Sequence, residues 1–217
     1  MIGVLGGTFD PVHYGHLRPA WELQEQLKLG RLLIIPCARP AHRGPPVASV
    51  EQRLSMLRLA LADQQSLQLD EREIQRPGPS YMMDTLAELR AEYGPNQAMS
   101  LIVGMDAFAA IEQWHDWQAL LGLAHVVVTH RPGSSKVDPP FIWKDAQVDS
   151  RQKLDESPSG HILYVSVTQL DISASRIRRL LQDGHSPRFL LPDSVLSYIE
   201  QQRLYRHHET QHPSLGT

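Results

Sequence analysis

Residues 6–16, GGTFDPVHYGH, bring together two adjacent glycines, an Asp-Pro pair and two histidines three residues apart. The apolar Ile2, Val4 and Leu5 precede the motif and an amphipathic helical pattern begins near Leu17, so it occupies a strand-to-helix turn. At Gly6 and Gly7 the backbone N–H groups can come close to an anion. The helix that follows adds unpaired donors and the positive end of its dipole. His13 and His16 can face the same small volume. Each feature alone has an ordinary explanation, a tight turn or a surface histidine; at one turn they point to phosphate chemistry. Zinc is the weaker reading, because it needs three or four ligands and no Cys/His cluster of suitable spacing follows.

The far end of the chain repeats this logic. In ISASRIRRLL, from Ile172, Ser173 and Ser175 stand where a helix opens, and Arg176, Arg178 and Arg179 crowd its first turns. Cations there oppose the helix dipole unless an anion offsets them. The plainer alternative is a capped amphipathic helix with Ile177, Leu180 and Leu181 inward and the arginines in water; with a phosphate turn elsewhere in the chain, the anion reading gains. Neither GxxxxGK[ST] nor a GxGxxG after the first strand is present, which weakens kinase and dehydrogenase readings.

The elements that must position these residues alternate. A strand at Ile2 to Leu5 leads to a helix from about His16 to Leu27, with Pro19 expected in its first turn, and then to a strand at Leu32 to Ile35. The proline-rich loop PCARPAHRGPPVAS ends at Ser49, with Gln52 three residues on, a capping-box pattern for a helix carrying Leu54, Leu57 and Leu61. Leu67 and Leu69 read as a short strand. Ser80 precedes a helix that Gly94 and Pro95 stop. MSLIVG, HVVVTH and ILYVSV read as further strands, and VLSYIEQQ as the last helix. This order predicts an α/β fold, a Rossmann-like parallel sheet with helices on both faces and a small C-terminal helical part. The loops at Gly6, Pro36, Gly104 and Arg131 then share the carboxyl edge of the sheet, where such folds bind ligands. A single domain over 1–205 is expected, with 134–160 a mobile excursion, 172–205 the helical part and 206–217 a disordered tail.

Composition bounds the partners. The chain has 21 basic against 24 acidic residues, a formal charge of −3, which argues against a nucleic-acid or acidic-membrane partner and for small molecules. Cys37 is the only cysteine, so no internal disulfide can form, in keeping with a reducing cytoplasm. A secretory leader and an apolar run of membrane-spanning length are both absent from the sequence, and a soluble cytoplasmic protein is expected.

GGTFDPVHYGH together with ISASRIR resembles the nucleotidyltransferase superfamily marked by HxGH, here His13, Gly15 and His16. Within it, PAHR at 40–43, SYMMDTL at 80–86, GMDAF at 104–108, the Trp114 segment and HRPG at 130–133 are similar to bacterial nicotinate mononucleotide adenylyltransferases. The likeness covers roughly residues 1–205. It implies transfer of the adenylyl group of ATP to nicotinate mononucleotide, giving deamido-NAD and pyrophosphate, with Mg2+ accompanying ATP. It further implies that Gly6, Gly7, Thr8, His13 and His16 cradle the reacting phosphates, that Ser173, Ser175 and Arg178 grip the triphosphate, and that Arg43 closes over it beside His42. Asp106 would meet nucleotide hydroxyls or the magnesium shell; Met82, Met83, Thr85 and Trp114 would receive the acceptor. Trp114 could equally be core and Asp106 a helix cap.

Three positions depart from that pattern. Cys37 stands where a polar residue is usual, Ala41 replaces a proline, and Met82 replaces a threonine, so acceptor detail is less sharply implied than reaction type. Two rivals remain open: an adenylyltransferase of the pantetheine-phosphate kind, and a nucleotide-binding sensor without turnover. A class I aminoacyl-tRNA synthetase is remote, because no KMSKS-like loop is present.

Overall fold

The computed structural model describes residues 1–40, 44–133 and 135–206. Seven parallel strands form one sheet: β1 (Ile2–Gly7), β2 (Arg31–Pro36), β3 (Leu67–Leu69), β4 (Met99–Gly104), β5 (His125–His130), β6 (Gln147–Val148) and β7 (Ile162–Ser166), in the order β3-β2-β1-β4-β5-β7-β6. Period-two alternation sorts their side chains between two cores. Leu32, Ile34, Ile102 and Val127 go to one face; Leu33, Ile35, Leu101, Val103, Val126 and Val128 go to the other. The first face is covered by helices α1 (Tyr14–Gln26) and α2 (Val50–Leu61), and the opposite face by α4 (Met82–Tyr93), which follows the short α3 (Arg72–Gln75). The chain passes from the β3 edge back to β4, beside β1. The order therefore reverses between β1 and β4, and a crevice opens at their carboxyl ends.

The remaining helices are α5 (Met105–Ala109), α6 (Leu120–Leu123), α7 (Ala174–Gln182) and α8 (Asp193–Gln201). The expected capping box is present: Ser49 Oγ accepts from the Gln52 N–H, and Gln52 Oε1 accepts from the Ser49 N–H. α7 opens as predicted on Ser173, whose hydroxyl accepts from the Arg176 N–H at 3.2 Å.

Four local expectations are corrected. Gly6 and Gly7 are still in strand β1, paired in register with Ile35 and Pro36, so the turn itself starts at Thr8. Helix α1 opens at Tyr14, two residues before His16, which puts Pro19 beyond the first turn and inside the helix, at the cost of one backbone hydrogen bond. Ser80 does not cap α4: the cap position is Tyr81, and the Ser80 hydroxyl accepts instead from the Ala38 and Arg39 N–H groups at 3.0 and 3.3 Å. Within 134–160, two 3₁₀ stretches, Phe141–Ala146 and Arg151–Asp155, flank the edge strand β6. Trp143 and Leu154 there are buried, and Arg151 Nε donates to the Leu27 carbonyl at 2.7 Å, so this stretch is packed onto the sheet rather than free of it.

Candidate active site

Beyond β1 the chain runs from Thr8 to His13 and into α1, and the two histidines of that turn lie ring on ring, with centroids 3.8 Å apart and planes 24° from parallel. Phe9 meets His16 edge-on at 5.1 Å. His13 is the extended residue ahead of α1 and its side chain makes no cap bond. Gly15 is required by this packing: a Cβ there would lie 2.9 Å from the His13 ring and 3.0 Å from the Ile172 carbonyl. Burial lowers the His13 pKa to about 4; burial and then the neighbouring His13 lower that of His16 to about 3. Both rings are neutral at pH 7. Their Nδ1 atoms are buried with no hydrogen-bond partner among the described residues, two polar atoms whose desolvation a ligand can offset.

Helix α7 docks on the same turn. Arg178 Nη1 donates to the Asp10 carbonyl at 2.6 Å and lies 3.8 Å from its carboxylate, while Nη2 reaches Ser175 Oγ at 3.4 Å. Arg176 and Arg179 are exposed and line a depression on the outer surface of α7 with Ser173 and Ser175. The fold divides the three arginines: Arg178, the one the family resemblance singles out, reaches the turn, and Arg176 and Arg179 are exposed. Beside His16 a cleft of about 260 Å3 lies over the ends of β1, β4 and β5, lined by Leu5, Gly15, Gly104, Thr129, Arg131 and Gln169 among others. Asp106 projects from α5 just past Gly104 and is exposed.

The α4 side abuts the end of β1. The Met82 methyl sits 2.6 Å from where a Gly6 Cβ would lie, so a larger residue at Gly6 would make the Met82 side chain shift. The cap position Tyr81 provides no side-chain bond to the first-turn N–H groups of α4. Thr85 is fully buried, its hydroxyl donating to Glu73 at 2.7 Å and accepting from Arg76 at 3.0 Å, so it supports the helix from behind. Trp114 ends a 3₁₀ turn, Ile111–Gln113, half-buried against the same core as Met82 and Met83. Next to it His115 lies 4.4 Å from the Tyr81 ring, tying the Trp114 segment to the α4 start. Arg43, with Ala41 and His42, falls outside the described residues.

Sequence reasoning missed Arg53, Asp10 and Tyr205. Arg53 is 1% exposed and donates to the Thr8 carbonyl at 2.8 Å, while its Nε has no partner among the described residues. The signal was legible: Arg53 shares the face of Met56 and Leu57, an arginine on an apolar helix stripe. Asp10 accepts from the Val47 and Ala48 N–H groups at 2.7 and 3.2 Å. Among the described residues no three His, Cys, Asp or Glu side chains are placed to hold a metal ion, and no helix is long and apolar enough to cross a membrane.

A parallel sheet with a glycine–histidine turn at its switch point and a serine–arginine helix folded back onto that turn is the layout of a nucleotidyltransferase. The model of the cytidylyltransferase-like family matches residues 4–180, and the chain belongs to that family. It is 48% identical over 209 residues to a protein of Methylococcus capsulatus named "probable nicotinate-nucleotide adenylyltransferase", covering 94% of this chain and 99% of that one. A protein of the same name from Dechloromonas aromatica is 46% identical over 211 residues, covering 94% and 97%. Identity at that level over both chains shows the narrower family as well: this is a member of the nicotinate-nucleotide adenylyltransferases. Among solved structures, the nicotinic acid mononucleotide adenylyltransferase of Plasmodium falciparum complexed with NaAD superposes with a TM-score of 0.72 at 16% identity, covering 94% and 96%, a likeness of fold.

Proposed function

We propose that the chain transfers the adenylyl group of ATP to nicotinate mononucleotide, releasing pyrophosphate and forming deamido-NAD. The observation that carries this reading is the convergence of the His13–His16 pair, with its unpartnered Nδ1 atoms, and of Arg178 on the single turn after β1. The acceptor's phosphate has a second pKa of about 6 and is already anionic at neutral pH, so no general base is needed. One of its oxygens forms a bond to the α-phosphorus of ATP as the bond to the bridging oxygen breaks, and the electron pair leaves with pyrophosphate. The protein's part is to align two mutually repelling anions and neutralise developing charge. His13 and His16, neutral, each offer an N–H to the reacting phosphates without bringing a proton that must be lost first. Arg178 and Ser175 hold the triphosphate, and Ser173 keeps α7 opening at that place.

Mg2+ belongs to the same reading as an ion carried on the triphosphate. It keeps most of its waters and needs few protein ligands, which suits a chain whose described residues gather no three His, Cys, Asp or Glu side chains for a metal and whose Asp106 is exposed. When bound it neutralises charge on the polyphosphate. The first-turn donors of α4 near Met82 and Met83 suit the nicotinate carboxylate, and Trp114 its ring. A cytoplasmic setting completes the reading, supported by a single cysteine and no disulfide.

The test is to incubate the pure protein with ATP and magnesium and, separately, nicotinate mononucleotide, its amide and phosphopantetheine, identifying products by mass. Deamido-NAD with stoichiometric pyrophosphate supports the proposal. Product with phosphopantetheine alone, or ATP binding without pyrophosphate release, would replace it by one of the two rivals.

A further inference from the structure

Tyr205 stands 195 residues from Asp10 in sequence, yet its hydroxyl donates to Asp10 Oδ1 at 2.6 Å in the protein interior, with the tyrosine 6% and the aspartate 4% exposed. The backbone bends sharply to achieve this. Arg203 and Tyr205 both have left-handed φ values, 52° and 61°, which cost non-glycine residues energy and persist only where surrounding contacts impose them. Asp10 is the hub of the turn after β1. Besides the Tyr205 hydroxyl, its carboxylate takes the Val47 and Ala48 N–H groups from the end of the loop after β2, and Arg178 binds its carbonyl. Were the phenol absent, the carboxylate would keep its two N–H donors and the Arg178 guanidinium 3.8 Å away, but lose the 2.6 Å hydrogen bond from the end of the chain.

We infer that Tyr205 is a positioning residue for adenylyl transfer, holding the Asp10 carboxylate so that the phosphate turn, the loop after β2 and Arg178 stay in one register. The inference rests on the assignment of the reacting phosphates to the turn at His13 and His16. Tyr205 touches no reacting atom; it acts through Asp10. A displacement of about 1 Å at a reacting group can cost on the order of a hundredfold in rate, so slackening this anchor is expected to cost roughly tenfold.

The test is Tyr205→Phe, which keeps the ring and removes only the hydroxyl, measured beside His16→Ala. The expected result is kcat down by about tenfold and a raised KM for ATP, with the KM for nicotinate mononucleotide within about twofold of the parent. Hydrogen exchange should speed up at Val47 and Ala48 while the amides of α8 stay protected. Asp10→Asn, which keeps the size but changes the hub, should show the same split, and it serves if Tyr205→Phe does not fold. Unchanged kcat in Tyr205→Phe, or faster exchange spread evenly through α8, would make the contact merely structural and overturn the inference. Those outcomes leave the site reading intact if His16→Ala is inactive; an active His16→Ala would remove the site reading itself.

Discussion

The imidazoles of His13 and His16 stack 3.8 Å apart inside the turn after β1, and both are uncharged at neutral pH, each keeping a single ring N–H. A buried pair of this kind links stability to acidity. The unfolded chain protonates His13 near its ordinary 6.5, whereas the folded chain resists until about 4, so the unfolded state binds more protons in between and acid favours it. The contribution is fully present above pH 6.5 and is lost as the pH falls toward 4. Between pH 7 and pH 5, His13 alone should cost about 2 kcal/mol. Denaturant unfolding at the two pH values, with His13→Asn for comparison, checks this: the variant should lose less stability on acidification than the parent, and an equal loss would place the acid sensitivity elsewhere.

Replacing His16 by alanine should lower turnover far more than it weakens ATP binding, because a donor aimed at the transferring phosphate helps most as charge develops. Removal of one such donor typically costs about 2.7 to 4 kcal/mol, on the order of a hundredfold to a thousandfold in kcat. Turnover near that of the parent would show that His16 does not face the reacting atoms.

Arg178→Ala removes both the cation proposed for the triphosphate and the bond that holds the Asp10 carbonyl. A hydrogen bond to a charged group contributes about 1.5 to 3 kcal/mol, so ATP should bind roughly ten- to a hundredfold more weakly. The affinity for nicotinate mononucleotide, measured by calorimetry without ATP, should hardly change. Equal weakening of both ligands would move Arg178 away from the triphosphate.

The acid should be preferred over its amide, and Met82 should not abolish that preference. The first-turn donors of α4, which the Tyr81 side chain does not cap, lie at the positive end of its dipole and suit a carboxylate, which an amide can match only by turning its NH2 away. A hydroxyl at position 82 would add about 0.5 to 1.5 kcal/mol, less than the about 1.5 to 3 kcal/mol of each bond to a charged group. Met82→Thr should therefore widen the ratio of kcat/KM values only a few fold. A parent enzyme that uses both mononucleotides equally would show that this helix start does not read the carboxylate.

Local signals carried far in this chain wherever the physics is local. The alternation of apolar runs with helical periods named a parallel α/β sheet, because period and burial depend on near neighbours. The Ser49–Gln52 box and the Ser173 cap were legible because a cap lies within four residues of what it caps. The same reasoning marked the turn of His13 and His16 and the helix of Arg178 as a pair, and the two pack together in the fold.

Contacts between distant segments needed the folded chain. Ser80 has the composition of a cap and spends its hydroxyl on Ala38 and Arg39 instead. Thr85 belongs to the acceptor motif by position, yet its side chain is buried against Glu73 and Arg76. That Arg178 bonds to the Asp10 carbonyl, and that Arg53 and Tyr205 bond to the same turn, depend on how α2, α7 and the end of the chain pack on β1. Sequence spacing dictates which side chains share a helix face or strand side; only tertiary packing decides which distant donor meets which buried acceptor, because that pairing is settled by the desolvation and geometry of both partners together.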